Sequence, residues 1–133
     1  MSRHHLFNPA SLTPPFGFSH GALSAEGRTL YIAGQTGHHP DLDIDDGLVE
    51  QFAQACRAVA KVIEDAGGAP DDLVSLTIYT TQVGSYRENL GPIGAAYREV
   101  FGRHFPPMAL MGVAELLDPR AVVELVGVAV VNP

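Results

Sequence analysis

The apolar positions of the chain follow two different periods, and the longer period predicts two helices. The first runs from about residue 48 to 66, and the second from about residue 86 to 101. In each segment, apolar residues recur every three or four positions, which places them on one face of an amphipathic helix. In the first helix this face comprises Phe52, Ala55, Val59, Ile63 and Ala66, and in the second Leu90, Ile93, Tyr97 and Phe101.

Short runs rich in β-branched and apolar residues predict five strands around these helices. They cover about residues 19–23, 29–34, 73–80, 108–116 and 122–131. Turn-forming residues at 25–28 predict that the first two strands form a hairpin, and those at 117–120 predict a turn that links the last two strands. The order ββ-α-β-α-ββ predicts a single α+β domain over residues 1–133, with a mixed sheet and both helices on one face. The proline-rich residues 1–18 predict an extended arm.

The last predicted strand is apolar at nearly every position from Val122 to Val131. A strand with one face in water would alternate between apolar and polar residues, so both faces of this strand are expected to be covered. The helices can cover one face, and a second subunit would cover the other. A strand buried under loops is the alternative.

Composition narrows the classes of function. The net charge is −7 and the eight basic residues are scattered, which disfavours nucleic acid as a partner. No apolar run approaches the roughly 20 residues of a membrane helix, and the N-terminal residues do not resemble a secretory signal. We therefore expect a cytoplasmic protein with no membrane partner. The single cysteine, Cys56, is predicted to be a small core residue.

Two segments resemble metal sites without meeting their requirements. Residues 41–47 are acidic like the start of a calcium loop, but Asp46 occupies the position of the required glycine and Phe52 that of the final glutamate. His38 and His39 are neighbours, and neighbouring side chains on a strand point apart. The sequence therefore predicts a solvated acidic loop, no metal site and no cofactor.

Five segments, taken in order, resemble the Rid family, also called YjgF/YER057c/UK114. They are residues 17–20, 30–35, 66–69 followed by 71–74, 97–101, and 105–116 followed by 121–130. The resemblance covers nearly the whole chain, although no one segment is specific. It implies a chorismate-mutase-like fold, a homotrimer with clefts between subunits, and cofactor-independent hydrolysis of reactive imines and enamines.

The resemblance also assigns residues to that cleft. The family's arginine, which binds the substrate carboxylate two residues after a proline, corresponds to Met108 here. The family's water-positioning glutamate corresponds to Glu124, and a cleft glycine to Gly34. The remaining positions have lost polar groups or are neighbours of the cleft: Phe18, His20, Ala33, Leu110 and Gly94.

These assignments imply a divergent small-molecule enzyme. Methionine offers no donor to a carboxylate, so we expect weak or absent hydrolysis of small 2-imino acids and a larger or more apolar substrate. Glu124 would orient the hydrolytic water, although a structural pair with an arginine of another subunit is the alternative. A non-catalytic trimer that binds or senses a small molecule is the second hypothesis. Substitutes for the missing anchor are Arg87, Arg98 and Arg120, each of which is otherwise a surface charge.

Overall fold

The computed structural model describes residues 2–133, in which strands and helices follow the predicted order with additions at two places. The elements are β1 (His5–Phe7), β2 (Gly21–Leu23), β3 (Arg28–Thr36), α1 (Leu48–Asp65), β4 (Leu73–Thr80), α2 (Val83–Glu88), α3 (Leu90–Phe101), β5 (Met108–Gly112) and β6 (Val123–Val131). Strand β1 was not predicted. The second predicted helix is divided at Asn89, where the backbone leaves helical geometry between α2 and α3. The α+β fold class is confirmed.

Four strands form a mixed sheet in the spatial order β3-β6-β4-β5. Strand β6 is antiparallel to both of its neighbours, and β5 is parallel to β4. Helices α2 and α3 form the crossover connection that a parallel strand pair requires. Strands β1 and β2 form a separate antiparallel pair.

The hairpin predicted for the first two strands is wrong. Strand β2 pairs with β1, and β3 pairs with β6. Strand β5 lies at the edge of the sheet beside β4, while β6 inserts between β3 and β4. The predicted turn at residues 117–120 belongs to a longer connection, residues 113–122. Local patterns identify a strand and its inward face, but they do not select a partner distant in sequence.

The core lies between this sheet and the two long helices. Its buried members include Phe52, Val59 and Ile63 from α1, Ile93, Tyr97 and Phe101 from α3, and Leu73, Leu76, Val123 and Leu125 from the sheet. In β6, Val123 and Leu125 are fully buried, whereas Glu124, Val126 and Val128 are half-buried on the opposite face. The helices therefore cover one face of the sheet, as predicted.

The opposite face of the sheet presents apolar side chains to the exterior of the single chain. Tyr31, the register partner of Val128, is 79% exposed, and Met111, the partner of Tyr79, is 43% exposed. Whether a second subunit covers this face stays a prediction.

The N-terminal arm is fixed to the sheet by a buried histidine. The His4 Nε2 atom lies 2.9 Å from the Val130 carbonyl oxygen and 3.1 Å from Asp72 Oδ1. Its Nδ1 atom accepts a hydrogen bond from the Ala25 N–H. The extended arm predicted for residues 1–18 thus includes strand β1, and Met1 lies outside the described residues.

Candidate functional site

The contact between Gly34 and Glu124 joins two residues that the sequence assigned to the cleft. Glu124 is the register partner of Thr36, and a β-bulge lies between Ile32 and Gln35. A Cβ atom added to Gly34 would lie 2.5 Å from Glu124 Oε2 and 2.7 Å from its Cδ. The Glu124 side chain therefore lies directly over Gly34, in space that any larger residue would fill.

The Glu124 carboxylate has no hydrogen bond or ion pair with any residue in the range 2–133. It opens into a cavity of about 540 Å³, which we call the Glu124 cavity. Gly34, Thr36 and His38 line this cavity from the β3 side, and residues 117–120 line it from the connection before β6. Whether Glu124 pairs with an arginine of another subunit, the alternative that the sequence left open, stays a prediction.

A hydrogen-bonded row of side chains forms one wall of the Glu124 cavity. Thr36 Oγ1 lies 2.5 Å from His38 Nδ1, and His38 Nε2 lies 2.8 Å from Asp118 Oδ2. Asp118 also accepts hydrogen bonds from the Arg120 side chain and backbone N–H. These bonds from Arg120, followed by the one from His38, hold the pKa of Asp118 well below its usual range. Asp118 is therefore ionised at neutral pH.

Two residues fix the position of this wall against α1, one directly after β3 and one within the helix. Gly37 packs on the backbone of α1, since a Cβ atom there would lie 2.6 Å from the Gln51 Cα. The buried Gln51 side chain donates to the carbonyl oxygens of Asp45 and Arg120 and accepts from the Val122 N–H. The helix thus holds both the strand that contains Thr36 and the connection that contains Asp118.

Met108 lines a different cavity, of about 470 Å³, which we call the Met108 cavity. Its wall is mostly apolar and includes Ile93, Phe105 and Phe16. No residue lines both this cavity and the Glu124 cavity within the described chain. The size falls in the range of roughly 300–1,000 Å³ that is usual for small-molecule sites.

Two polar side chains enter the Met108 cavity. Arg98 is the charged residue of its described wall, and its Nη1 atom lies 3.0 Å from where a Cβ of Gly94 would be. The Arg98 guanidinium therefore packs against Gly94, one helical turn before it in α3, where a larger side chain would crowd it. Tyr86 contributes a hydroxyl group, and burial raises the pKa of Tyr86 to about 12, so it remains a neutral donor.

The other two candidate anchors differ from Arg98. Arg120 lines the Glu124 cavity, but Asp118 holds its guanidinium. Arg87 is exposed on α2 and lines neither cavity.

The remaining predicted site residues lie outside the walls of both cavities. Phe18 and His20 contact each other edge to face at 5.3 Å, and the His20 ring is hydrogen-bonded to the Thr13 carbonyl oxygen. Ala33 is exposed on β3, and Leu110 is 36% exposed on the edge strand β5. Whether these four residues belong to a larger cleft stays a prediction.

Sequence reasoning missed several residues of both cavities. Phe16 and Tyr86 line the Met108 cavity, but nothing in their local pattern distinguishes them from other aromatic residues. Thr36 and His38 are two positions apart, so they share one side of an extended chain, and this spacing was the available signal. Their partner Asp118 is 80 positions from His38, a separation that no local motif spans.

The described residues contain no group of three or more His, Cys, Asp or Glu side chains placed to hold a metal ion. Cys56 is fully buried in the core, as predicted, and burial raises the pKa of its thiol to about 12. None of the helices in residues 2–133 combines the length and apolar character needed to cross a membrane.

Comparison with known proteins connects this geometry to one family. The model of the family described as "Endoribonuclease L-PSP" matches residues 9–131. The chain is 29% identical over 109 residues to the 2-iminobutanoate/2-iminopropanoate deaminase of Mus musculus, covering 80% of this chain and 76% of that protein. It is also 29% identical over 107 residues to a RutC family protein of Aquifex aeolicus, covering 74% and 79% of the two chains.

Solved structures give the same result. A protein of unknown function from Yersinia pestis, YyfB of the conserved Rid protein family, superposes with a TM-score of 0.85 and 28% identity. The match covers 96% of this chain and 98% of that one. RidA from an Antarctic Psychrobacter superposes with a TM-score of 0.69 at 23% identity, covering 94% of each chain, and supports the fold alone.

Proposed function

Because this chain belongs to the Rid (YjgF/YER057c/UK114) family, whose model is described as endoribonuclease L-PSP, we propose that it hydrolyses a reactive imine or enamine. The observation that supports this most directly is the Glu124 carboxylate. It lies over Gly34, faces a cavity and has no partner among residues 2–133. A carboxylate in this setting can accept a hydrogen bond from a water molecule and direct its oxygen at an electrophilic carbon.

We place the reaction in a cleft between subunits of a homotrimer. The Glu124 cavity and the Met108 cavity are separate in one chain, and assembly through the apolar outer face that contains Tyr31 offers a way to bring them together. The proposed reaction includes no metal or organic cofactor, since Glu124 itself orients the water that attacks the imine carbon. The proposed location of this trimer is the cytoplasm.

The substrate we propose is larger or more apolar than 2-iminopropanoate. Methionine at position 108 removes a bidentate, charge-assisted contact, whose loss in a closed cleft costs about 2–5 kcal/mol. This corresponds to a reduction of about 30-fold to several thousand-fold in affinity for a small 2-imino acid.

The test uses two imines generated in the assay. An amino-acid dehydratase supplies 2-iminopropanoate, a flavin amine oxidase supplies the uncharged imine of benzylamine, and competition with semicarbazide measures the hydrolysis rate. We expect wild type to act on the uncharged imine, Met108→Arg to gain activity on 2-iminopropanoate, and Glu124→Gln to lose activity. Glu115→Gln, an exposed glutamate that lines neither cavity, is the matched control. Full wild-type turnover of 2-iminopropanoate would contradict the substrate assignment, and unchanged turnover by Glu124→Gln would contradict the mechanism.

A non-catalytic binding trimer is the second candidate. It is favoured by the apolar wall of the Met108 cavity, where Arg98 supplies the charge and Tyr86 a hydroxyl group. Binding without turnover of either imine would support it. The net charge of −7 disfavours a ribonuclease, and retention on an RNA column at physiological salt would reverse that judgement.

A further inference from the structure

The wall of the Glu124 cavity has the arrangement of a proton relay. Thr36, His38 and Asp118 are joined in a row by hydrogen bonds of 2.5 and 2.8 Å, and all three line the cavity that contains Glu124. Thr36 is also the register partner of Glu124 across β3 and β6. A hydroxyl group, an imidazole and a carboxylate therefore line the same cavity as Glu124, whose own carboxylate has no partner among residues 2–133.

The direction of each hydrogen bond follows from the charge of Asp118. An ionised carboxylate can only accept hydrogen bonds, and Arg120 keeps Asp118 ionised. The proton of the neutral His38 ring therefore lies on Nε2, where it is donated to Asp118. Nδ1 then has a free lone pair and accepts the hydroxyl hydrogen of Thr36. This is the order of roles found in a hydroxyl–histidine–carboxylate triad, with the two ring nitrogens exchanged.

We propose that His38 is the proton acceptor of the hydrolytic reaction and acts through the Thr36 hydroxyl, an assignment that rests on the proposed function. Glu124 accepts one hydrogen of the water molecule, and the Thr36 oxygen accepts the other. As the water oxygen bonds to the imine carbon, the electrons of the C=N double bond move to nitrogen. The water proton passes to Thr36 while the Thr36 proton passes to His38 Nδ1. The return of that proton to the nitrogen completes a carbinolamine. Its hydroxyl proton then passes to the same nitrogen through Thr36 and His38, so that ammonia or an amine leaves as the C–N bond breaks and the carbonyl forms.

Asp118 has a positioning role in this scheme. It orients the ring through Nε2 and stabilises the imidazolium that forms when Nδ1 takes up the proton. Arg120 holds Asp118 in place through its side chain and backbone N–H. Mutation of Asp118 should therefore lower the rate without removing a group that contacts substrate.

The chain contains a matched control for this relay. His39 forms a similar pair with Asp45, at 3.0 Å between Nε2 and Oδ2, but it lies outside the Glu124 cavity and has no hydroxyl partner in residues 2–133. A histidine–aspartate pair is common to His38 and His39. Only His38 has the Thr36 hydroxyl as a partner and shares a cavity with Glu124 among the described residues.

The pH dependence of turnover tests the role of His38. The charged and titratable groups that face it are Asp118 and Arg120 from the connection before β6, Glu124 from β6, Arg57 and Lys61 from α1, and the adjacent His39. The relay requires a neutral ring, so the rate should fall as acid protonates His38 and removes the acceptor for Thr36.

The decisive experiment measures turnover of both imines by four variants of the full chain. Thr36→Val removes the hydroxyl with little change in shape, and His38→Asn keeps an acceptor near Thr36 that cannot take up a proton. Each should lower kcat by at least about 100-fold, as expected for loss of a general base. Thr36→Ser should retain most of the activity, and His39→Asn should match wild type. The rate should fall at acid pH in wild type, Thr36→Ser and His39→Asn. This fall should be absent from the residual activity of Thr36→Val and His38→Asn.

Two-bond ¹H–¹⁵N NMR correlations of the histidine rings supply a second readout that needs no substrate. They should show the His38 proton on Nε2, and a proton on Nδ1 in the neutral ring would overturn the relay. If Glu124→Gln loses activity while Thr36→Val and His38→Asn keep wild-type rates, the relay fails and the proposed function stands. If wild type hydrolyses neither imine, the proposed function fails and the relay falls with it.

Discussion

Replacing Gly34 with alanine should displace the Glu124 carboxylate without disturbing the fold. The new Cβ would lie 2.5, 2.7 and 3.1 Å from Glu124 Oε2, Cδ and Cγ, all atoms of a flexible side chain. Ordinary contact begins at 3.4 Å, so the carboxylate must withdraw by about 1 Å. A misplacement of about 1 Å in a catalytic group can cost about 100-fold in rate. The free energy of unfolding should change by less than about 1 kcal/mol, since Gly34 does not have a positive φ.

The assay for Gly34→Ala is the hydrolysis of the imine on which wild type is active, with thermal unfolding measured on the same sample. Gly84→Ala is the control, because a Cβ at Gly84 meets nothing within 4 Å. Adding Gly34→Ala to Glu124→Gln should lower the rate no further than Glu124→Gln alone, since both changes act on one group. A wild-type kcat/KM for Gly34→Ala would refute the reasoning that the position of this carboxylate controls turnover.

Three further predictions concern the core, the arm and the Met108 cavity. The native Cys56 thiol should not react with Ellman's reagent at pH 8, and rapid labelling of the native protein would contradict this. Because burial raises the pKa of the folded thiol, its contribution to stability should be complete below the ordinary pKa of 9.0 and should be lost as pH rises toward about 12. In urea denaturation, Asp72→Asn should lower the free energy of unfolding by about 3 kcal/mol, since it breaks the pair between the buried Asp72 and Arg3. Asp65→Asn, which breaks the exposed ion pair with Lys61, should change it by less than about 1 kcal/mol. Hexanoate and hexanamide share an apolar chain, but only hexanoate has a carboxylate for Arg98. Arg98→Met should therefore weaken the binding of hexanoate by about tenfold in isothermal titration and leave that of hexanamide unchanged. An equal effect of Arg87→Met would show that the charge acts only at long range.

The helices and the central strand were predictable because their patterns are local. Strand β4 was predicted with its observed bounds, Leu73–Thr80, and α1 within one residue of its end at Asp65. Alternating or helically spaced apolar residues reflect a face that must be buried, whichever element covers it. The division between α2 and α3 at Asn89 could not be predicted, since the apolar spacing continues across it.

Strand pairing and the polar wall depend on contacts between residues far apart in sequence. Nothing in residues 108–112 indicates that β5 pairs in parallel with β4 instead of folding back on β6. The resemblance to a known family supplied Glu124 and Gly34, and the structure places them in contact. It did not supply Thr36, His38 or Asp118, which combine only after β3 and the connection before β6 have both packed on α1.

The central position of β6 has a consequence for how the chain acquires its fold during synthesis. This strand lies between β3 and β4 although it follows both in sequence, so the register partners Arg28 and Val131 are separated by most of the chain. Until β6 leaves the ribosome, β3 and β4 have no shared neighbour, and their edges and the apolar face of α1 stay open. Such long-range pairing is slow and exposes the nascent chain to aggregation. We expect ribosome-bound chains that stop before residue 123 to be bound by chaperones and cut readily by proteases, with protection arising abruptly once β6 is added.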